Sequence, residues 1–119
     1  MKKIQLETYQ RIYRYAIQIV TLVKKLEKDA AMKVISSQLI RSGTSVTANI
    51  IEARGASSKR DYINFFHHAL KSANESKLWL AIIRDTSPEN KTEAEKLLKE
   101  TGEIANILAA SILTMKNKR

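Results

Sequence analysis

The sequence has no cysteine, one proline and three glycines, and aromatic residues make up 6% of its 119 positions. Without cysteine the chain forms neither disulfides nor thiolate metal sites. Strands and turns would require more glycine, proline, valine, phenylalanine and tyrosine than are present, whereas alanine, leucine, isoleucine, lysine and glutamate are common. The composition therefore predicts an all-α protein, and the length predicts one domain over residues 1–119.

The chain also lacks a long apolar run. Glu7, Arg11 and Arg14 interrupt the apolar residues near the N-terminus, and no segment approaches the roughly 20 residues of a membrane span. We therefore expect a cytoplasmic protein that has no membrane contact.

Positive charge is in excess and is unevenly distributed. The formal net charge is +9; residues 1–84 hold 15 Lys or Arg against 6 Asp or Glu, whereas residues 85–115 hold 3 against 6. Such an excess favours a polyanionic partner, because each neutralised phosphate releases counterions. A basic surface that only keeps the protein soluble explains it equally well.

Apolar residues recur at spacings of three and four in four segments, which predicts four helices. The first begins at Leu6 and ends near Lys28, with Leu6, Tyr9, Ile12 and Tyr13 on its core face and Tyr15, Ile17 and Leu22 left for a second contact. The second runs from Ala30 or Ala31 to Ala53, with Gly55 as its cap; the third is capped by Ser58, and the fourth is capped by Ser87 and continues to Met115. Short connections between long helices predict an antiparallel up-down four-helix bundle.

A stripe of polar residues follows the second helix beside its apolar face. Small residues in the same segment, Ser42, Gly43, Ser45 and Ala48, allow a neighbouring helix to approach closely. Burying charges costs several kcal/mol unless they are paired, so we expect one hydrogen-bonded network, shielded inside the bundle or in a subunit contact, that fixes helix register. Its predicted members are Arg41, Ser45, Asn49, Glu52, Lys71 and Glu75.

The segment QLIRSGTSVTANIIEARGASSKRDYINFFHHALKSANESKLWLAII, residues 38–83, resembles a bacterial family of four-helix-bundle proteins. These proteins are related to those encoded in intervening sequences of 23S ribosomal RNA genes. The matching positions in the second helix are Gln38, Leu39, Arg41, Ser42, Ser45, Asn49 and Glu52. Those from the following turn onward are Lys59, Ile63, Phe66, Ala69, Lys71, Ala73, Glu75 and Trp79. With the last helix included, the resemblance covers about residues 30–119.

The resemblance implies a cytoplasmic bundle that assembles into a ring, commonly a homopentamer. The chain is also similar to the accessory proteins of diversity-generating retroelements. That similarity implies binding of RNA or DNA and of a protein partner such as a reverse transcriptase.

The patterns of most enzyme and metal sites are missing from the sequence. No Glu-x-x-His occurs, and the adjacent His67 and His68 are about 100° apart on a helix, so we expect no metal, no cofactor and no enzymatic activity. One enzymatic alternative remains: Arg60 and His67, seven residues apart, resemble the Arg…His signature of the HEPN ribonucleases.

The leading hypothesis is therefore a non-enzymatic homo-oligomer that binds RNA or DNA by backbone electrostatics. It competes with a scaffold that binds only protein and with the ribonuclease. Candidate phosphate contacts are the Lys and Arg residues expected on exposed faces: Arg11, Arg14, Lys24, Lys25, Lys28, Lys59, Arg60, Lys116, Lys118 and Arg119.

Overall fold

Four long helices account for nearly all of residues 4–117, the part of the chain that the computed structural model describes. Their bounds are Leu6–Lys25 for α1, Ala30–Ala53 for α2, Lys59–Thr86 for α3 and Lys91–Lys116 for α4, with a 3-10 turn at Pro88–Asn90. Consecutive helices pack against each other and α1 closes onto α4, which gives a rod of 50 × 21 × 20 Å. The prediction of an all-α, up-down four-helix bundle is confirmed. None of the helices within these residues is apolar over enough of its length to cross a membrane.

Two helix starts are fixed by side-chain caps. The Asp29 carboxylate accepts a hydrogen bond from the Met32 N–H at 2.9 Å, and the Ser58 hydroxyl accepts one from the Asp61 N–H at 3.1 Å. The Ser58 cap was predicted from sequence. The Asp61 carboxylate does not return to the Ser58 backbone; it accepts from the Ser57 hydroxyl at 2.7 Å.

Two of the predicted helix caps are wrong. The Ser87 side chain does not cap α4, because Pro88–Asn90 first form a 3-10 turn and the Ser87 hydroxyl accepts from the Asn90 side-chain amide at 2.9 Å. Gly55 does not adopt a left-handed conformation: no described glycine has a positive φ, and Arg54 is still right-handed helical.

The core face of α1 is rotated from the predicted one. Tyr15 and Leu22, assigned to a second contact, are buried in the bundle, while Leu6 and Tyr13, assigned to the core, are 66% and 57% exposed. The buried residues Ile12, Tyr15, Ile19, Leu22 and Leu26 recur at alternating spacings of three and four, which makes one continuous face. An apolar surface on more than one side of a helix leaves its rotation undetermined until its neighbours are known.

Three contacts fix α1 against the other helices. A Cβ built on Gly43 of α2 would lie 2.9 Å from a side-chain carbon of Ile19, so the two helices approach closely there. The Thr47 hydroxyl of α2 donates to the Ile12 carbonyl at 2.8 Å. The buried Tyr15 hydroxyl lies 2.7 Å from the Thr101 hydroxyl of α4, and burial raises the pKa of this tyrosine.

Candidate nucleic-acid interface

A cleft opens at one end of the rod, between the beginning of α3 and the end of α4. Arg60 and His67 lie seven residues apart on α3, about two helical turns, and therefore lie on one side of the helix. Lys116 arrives from the last turn of α4, and the side chains of Arg60, His67 and Lys116 are all exposed. The cleft thus brings cations from two helices together beside the positive end of the α3 dipole. Its lining consists of Lys59, Arg60, Ile63, Asn64, His67 and Lys116.

A second basic group lies at the opposite end, where α1 turns into α2. Lys24, Lys25 and Lys28 are exposed. Lys28 and Lys33 line a shallow cleft with the hydroxyls of Ser36 and Ser37, and Glu27 is also at its edge. Apart from Arg11 and Arg14 of α1, the predicted phosphate contacts that the structure describes therefore form two groups. They lie at opposite ends of a rod rather than in one patch.

Arg11 belongs to neither group. Its guanidinium donates to both Glu100 carboxylate oxygens, at 2.8 and 2.6 Å, and to Glu103 at 2.7 Å. Hydrogen bonding to Arg11 lowers the pKa of Glu100, so both partners stay charged. The structure thus commits Arg11 to joining α1 to α4, which removes it from the predicted phosphate contacts, while its neighbour Arg14 is exposed. Lys118 and Arg119 lie outside the described residues.

The predicted polar network exists only in part. Arg41 forms an ion pair with Glu75 across the α2–α3 contact and also donates to the Gln38 side-chain oxygen at 2.8 Å. The Trp79 indole N–H donates to Glu75 at 3.1 Å; this bond, and then Arg41, lower the pKa of Glu75. The Arg41 side chain is 55% exposed. The charged part of the network is therefore at the surface, and the prediction that it is shielded inside the bundle is wrong.

The buried part of this contact consists of neutral groups. The Ser76 hydroxyl donates to the Ser42 hydroxyl at 2.8 Å, and both residues are fully buried. One turn away, Ser72 donates to Ser45 at 3.2 Å, and the Asn49 amide donates to the Ser45 hydroxyl at 3.1 Å and carbonyl at 2.9 Å. Sequence reasoning missed Ser76, although its spacing of four from Ser72 on the same helix was a signal.

Two predicted members stay outside the network. Lys71 is exposed and acts on Glu75 only through its charge. Glu52 is exposed, and its carboxylate has no hydrogen bond or ion pair with any residue from 4 to 117. Both residues lie on the predicted sides of α2 and α3. Their side chains extend into solvent, however, and do not contact the facing helix.

Large apolar side chains remain exposed on α1 and α2. Leu6, Tyr13 and Ile17 are spaced seven and four apart on one outer side of α1. Ile40 and Ile51, eleven residues or about three turns apart, share one side of the neighbouring α2. We refer to these five residues as the apolar face; Tyr13 and Ile51 are at least half exposed within it.

No group of three or more histidine, aspartate or glutamate side chains within residues 4–117 is arranged to hold a metal ion. The carboxylates of Glu100 and Glu75 form ion pairs with Arg11 and Arg41, and these pairs stabilise contacts between helices.

These features define a class: a basic, elongated four-helix bundle with serine-rich contacts between α2 and α3. Comparison with known proteins identifies the family. Residues 4–110 match the model of the 23S rRNA-intervening sequence protein family, and the chain therefore belongs to that family. The fold is similar to the crystal structure of a protein of unknown function from the S23 ribosomal protein family of Bacteroides thetaiotaomicron. The two share 36% sequence identity with a TM-score of 0.81, over 88% of this chain and 97% of the other. No curated protein matches the chain.

Proposed function

We propose that the chain is a non-enzymatic, self-associating bundle that binds RNA or DNA through the phosphate backbone. One observation carries the proposal: Arg60 and Lys116, far apart in sequence, line one exposed cleft at the end of the rod. Asn64 adds an amide donor in the same cleft. Such donors bind phosphate oxygens without reading bases, so we expect little sequence preference.

The distribution of charge supports the same proposal. Arg11 and Arg41 are neutralised by carboxylates within the bundle, whereas neither Arg60 nor Lys116 forms an ion pair with any of residues 4–117. The family description, which refers to an intervening sequence of 23S rRNA, associates these proteins with an RNA gene. The resemblance of the chain to retroelement accessory proteins is the basis for proposing that it is a cytoplasmic accessory factor for a nucleic-acid enzyme such as a reverse transcriptase.

Titration of labelled RNA and DNA at several salt concentrations tests binding. Phosphate contacts from Arg60 and Lys116 predict that the logarithm of the association constant falls with the logarithm of salt concentration with a slope of about −2, because the neutral Asn64 amide releases no counterion. Replacing both cations, in Arg60→Gln/Lys116→Gln, should remove the contribution of this cleft to the slope.

The matched control is Lys71→Gln/Lys99→Gln. It removes the same charge from exposed positions on the sides of the rod, and we expect wild-type affinity. Equal loss in both double variants would show that only net charge matters. Absence of binding at low salt would leave the scaffold hypothesis in place of this one.

Self-association is supported by the apolar face, because exposed apolar residues on two neighbouring helices are a common feature of subunit contacts. The variant Ile17→Lys should reduce the assembled mass measured by light scattering while leaving helix content unchanged by circular dichroism. A wild-type monomer at micromolar concentration would contradict the proposal. The pentamer implied by the family resemblance is the expected assembly.

A ribonuclease is the second candidate, because Arg60 and His67 line the same cleft. His67 would take the proton of a ribose 2′-hydroxyl, whose oxygen then attacks phosphorus and displaces the 5′-oxygen. The imidazolium would return the proton to that oxygen, giving a 2′,3′-cyclic phosphate and a 5′-hydroxyl, with Arg60 stabilising the charged transition state. Cleavage by wild type and not by His67→Ala would establish this activity; equal cleavage by both would indicate a contaminant.

A further inference from the structure

Basic residues are concentrated at both ends of the rod, and the two ends are far apart. We refer to Arg60 and Lys116, at the end where α3 begins and α4 finishes, as the cleft end group. We refer to Lys24, Lys28 and Lys33, at the opposite end, as the α1–α2 end group. Lys33 lies 20 residues before Ala53, the last residue of α2, so at 1.5 Å per residue the two groups are separated by about 30 Å along the rod.

Two of the arginines between the end groups are held by carboxylates. Arg11 pairs with two glutamates, and Arg41 pairs with Glu75. At physiological salt the Debye length is about 8 Å, so charges about 30 Å apart hardly affect each other. A polyanion too short to span that distance therefore does not contribute to, or compete with, binding at the other end group.

The other half of the same end has only a small excess of negative charge. The end of α3 and the beginning of α4 carry Asp85, which is paired with Arg84, and Glu89, Glu93 and Glu95 beside Lys91 and Lys96. A phosphate backbone is therefore attracted to the lysine side of this end. The hydroxyls of Ser36 and Ser37 and the ammonium groups of Lys28 and Lys33 line the cleft on that side.

We infer that each chain has two separate nucleic-acid sites, one at each end group, and holds two segments of RNA or DNA at once. This inference rests on the proposed function, since both sites bind phosphate. A molecule with two such sites brings strands together: each bound segment raises the effective concentration of the second near the first. The expected activity is bridging of nucleic-acid segments rather than coating of a single one.

The number of short hairpins bound per chain tests this inference. A hairpin stem of about 5 base pairs spans about 17 Å, which is too short to reach both end groups. At low salt, wild type should bind two hairpins per chain by calorimetry or analytical ultracentrifugation. Because the stoichiometry is counted per chain, it does not depend on how many subunits assemble.

Each single-end variant should lose one site. Arg60→Gln/Lys116→Gln and Lys24→Gln/Lys28→Gln/Lys33→Gln replace exposed side chains and should each bind one hairpin per chain. The control Lys71→Gln/Lys99→Gln should still bind two. Combining the two sets of end substitutions should abolish binding at the same salt concentration.

The outcomes separate the two proposals. One hairpin per wild-type chain would overturn the two-site inference and leave the proposed function standing. Two hairpins per chain in both single-end variants would also overturn the inference, because the sites would then lie elsewhere. No binding by wild type would overturn both.

Discussion

Replacing Gly43 by alanine tests how closely α1 and α2 are packed. The added Cβ would lie 2.9, 3.0 and 3.2 Å from Ile19 Cγ2, Cγ1 and Cδ1, and Ile19 is fully buried and β-branched. Such a side chain has one strongly preferred rotamer in a helix, so it has little freedom to move away. We expect an overpacking cost of about 1–3 kcal/mol, offset by about 1 kcal/mol of improved helix propensity.

Gly102 provides the matched control. It also lies within a helix, α4, but a Cβ at this position would meet nothing within 4 Å. Gly102→Ala should therefore stabilise the protein by about 1 kcal/mol. Because the propensity gain is common to both variants, their difference in unfolding free energy isolates the overpacking cost at Gly43.

Urea unfolding followed by circular dichroism, at one fixed protein concentration, measures both variants. A double-mutant cycle with Ile19→Ala gives a further test. Without the Ile19 side chain the clash is gone, and Gly43→Ala should change from destabilising to stabilising, with a coupling energy of about 1–3 kcal/mol. The reasoning is refuted if Gly43→Ala stabilises wild type as much as Gly102→Ala does.

Three further substitutions test individual polar contacts. Tyr15→Phe removes the buried bond to Thr101 and should cost about 1 kcal/mol in urea unfolding at neutral pH. Tyr62→Phe should cost nothing there, because the Tyr62 hydroxyl is buried without a hydrogen-bond partner among residues 4–117; equal losses for the two tyrosines would contradict this. Burial raises the pKa of Tyr62 from 10.0 to about 12, so between these values this tyrosine ionises in the unfolded chain but not in the folded one, and stability falls as pH rises from 10 towards 12; Tyr62→Phe should weaken this alkaline decline in stability. Arg11→Gln should lower the unfolding free energy by about 1 kcal/mol at neutral pH. It should also reduce the loss of stability below about pH 4.3, because Arg11 would no longer lower the pKa of Glu100 in the folded state. An unchanged acid profile would show that this ion pair contributes no stability.

The sequence predicted the parts of the structure that depend on neighbouring residues. Four helices, their order and the Ser58 cap follow from periodicity and capping within a few residues of each position. Short connections then force an antiparallel bundle, because long helices joined by a few residues have to pack side by side. The small residues of α2 were also correctly associated with close packing, although Gly43 contacts α1 while Ser42 and Ser45 contact α3.

The sequence predicted which residues belong to the candidate site, but it did not predict how they are arranged in space. The sequence identified the basic residues, yet it did not indicate that Lys116 joins Arg60 in one cleft or that the remaining lysines lie at the other end of the rod. It also placed Arg11 among the phosphate contacts, because its carboxylate partner Glu100 is 89 residues away in the chain.

The sequence alone therefore determined the helices and their antiparallel order, which are set by local periodicity and by the length of the connections. The tertiary structure decided which side of α1 enters the core, which charges neutralise each other and where the remaining exposed cations collect. The reason is that rotating a helix about its axis by one residue, about 100°, changes no local interaction but changes every contact that it makes with its neighbours.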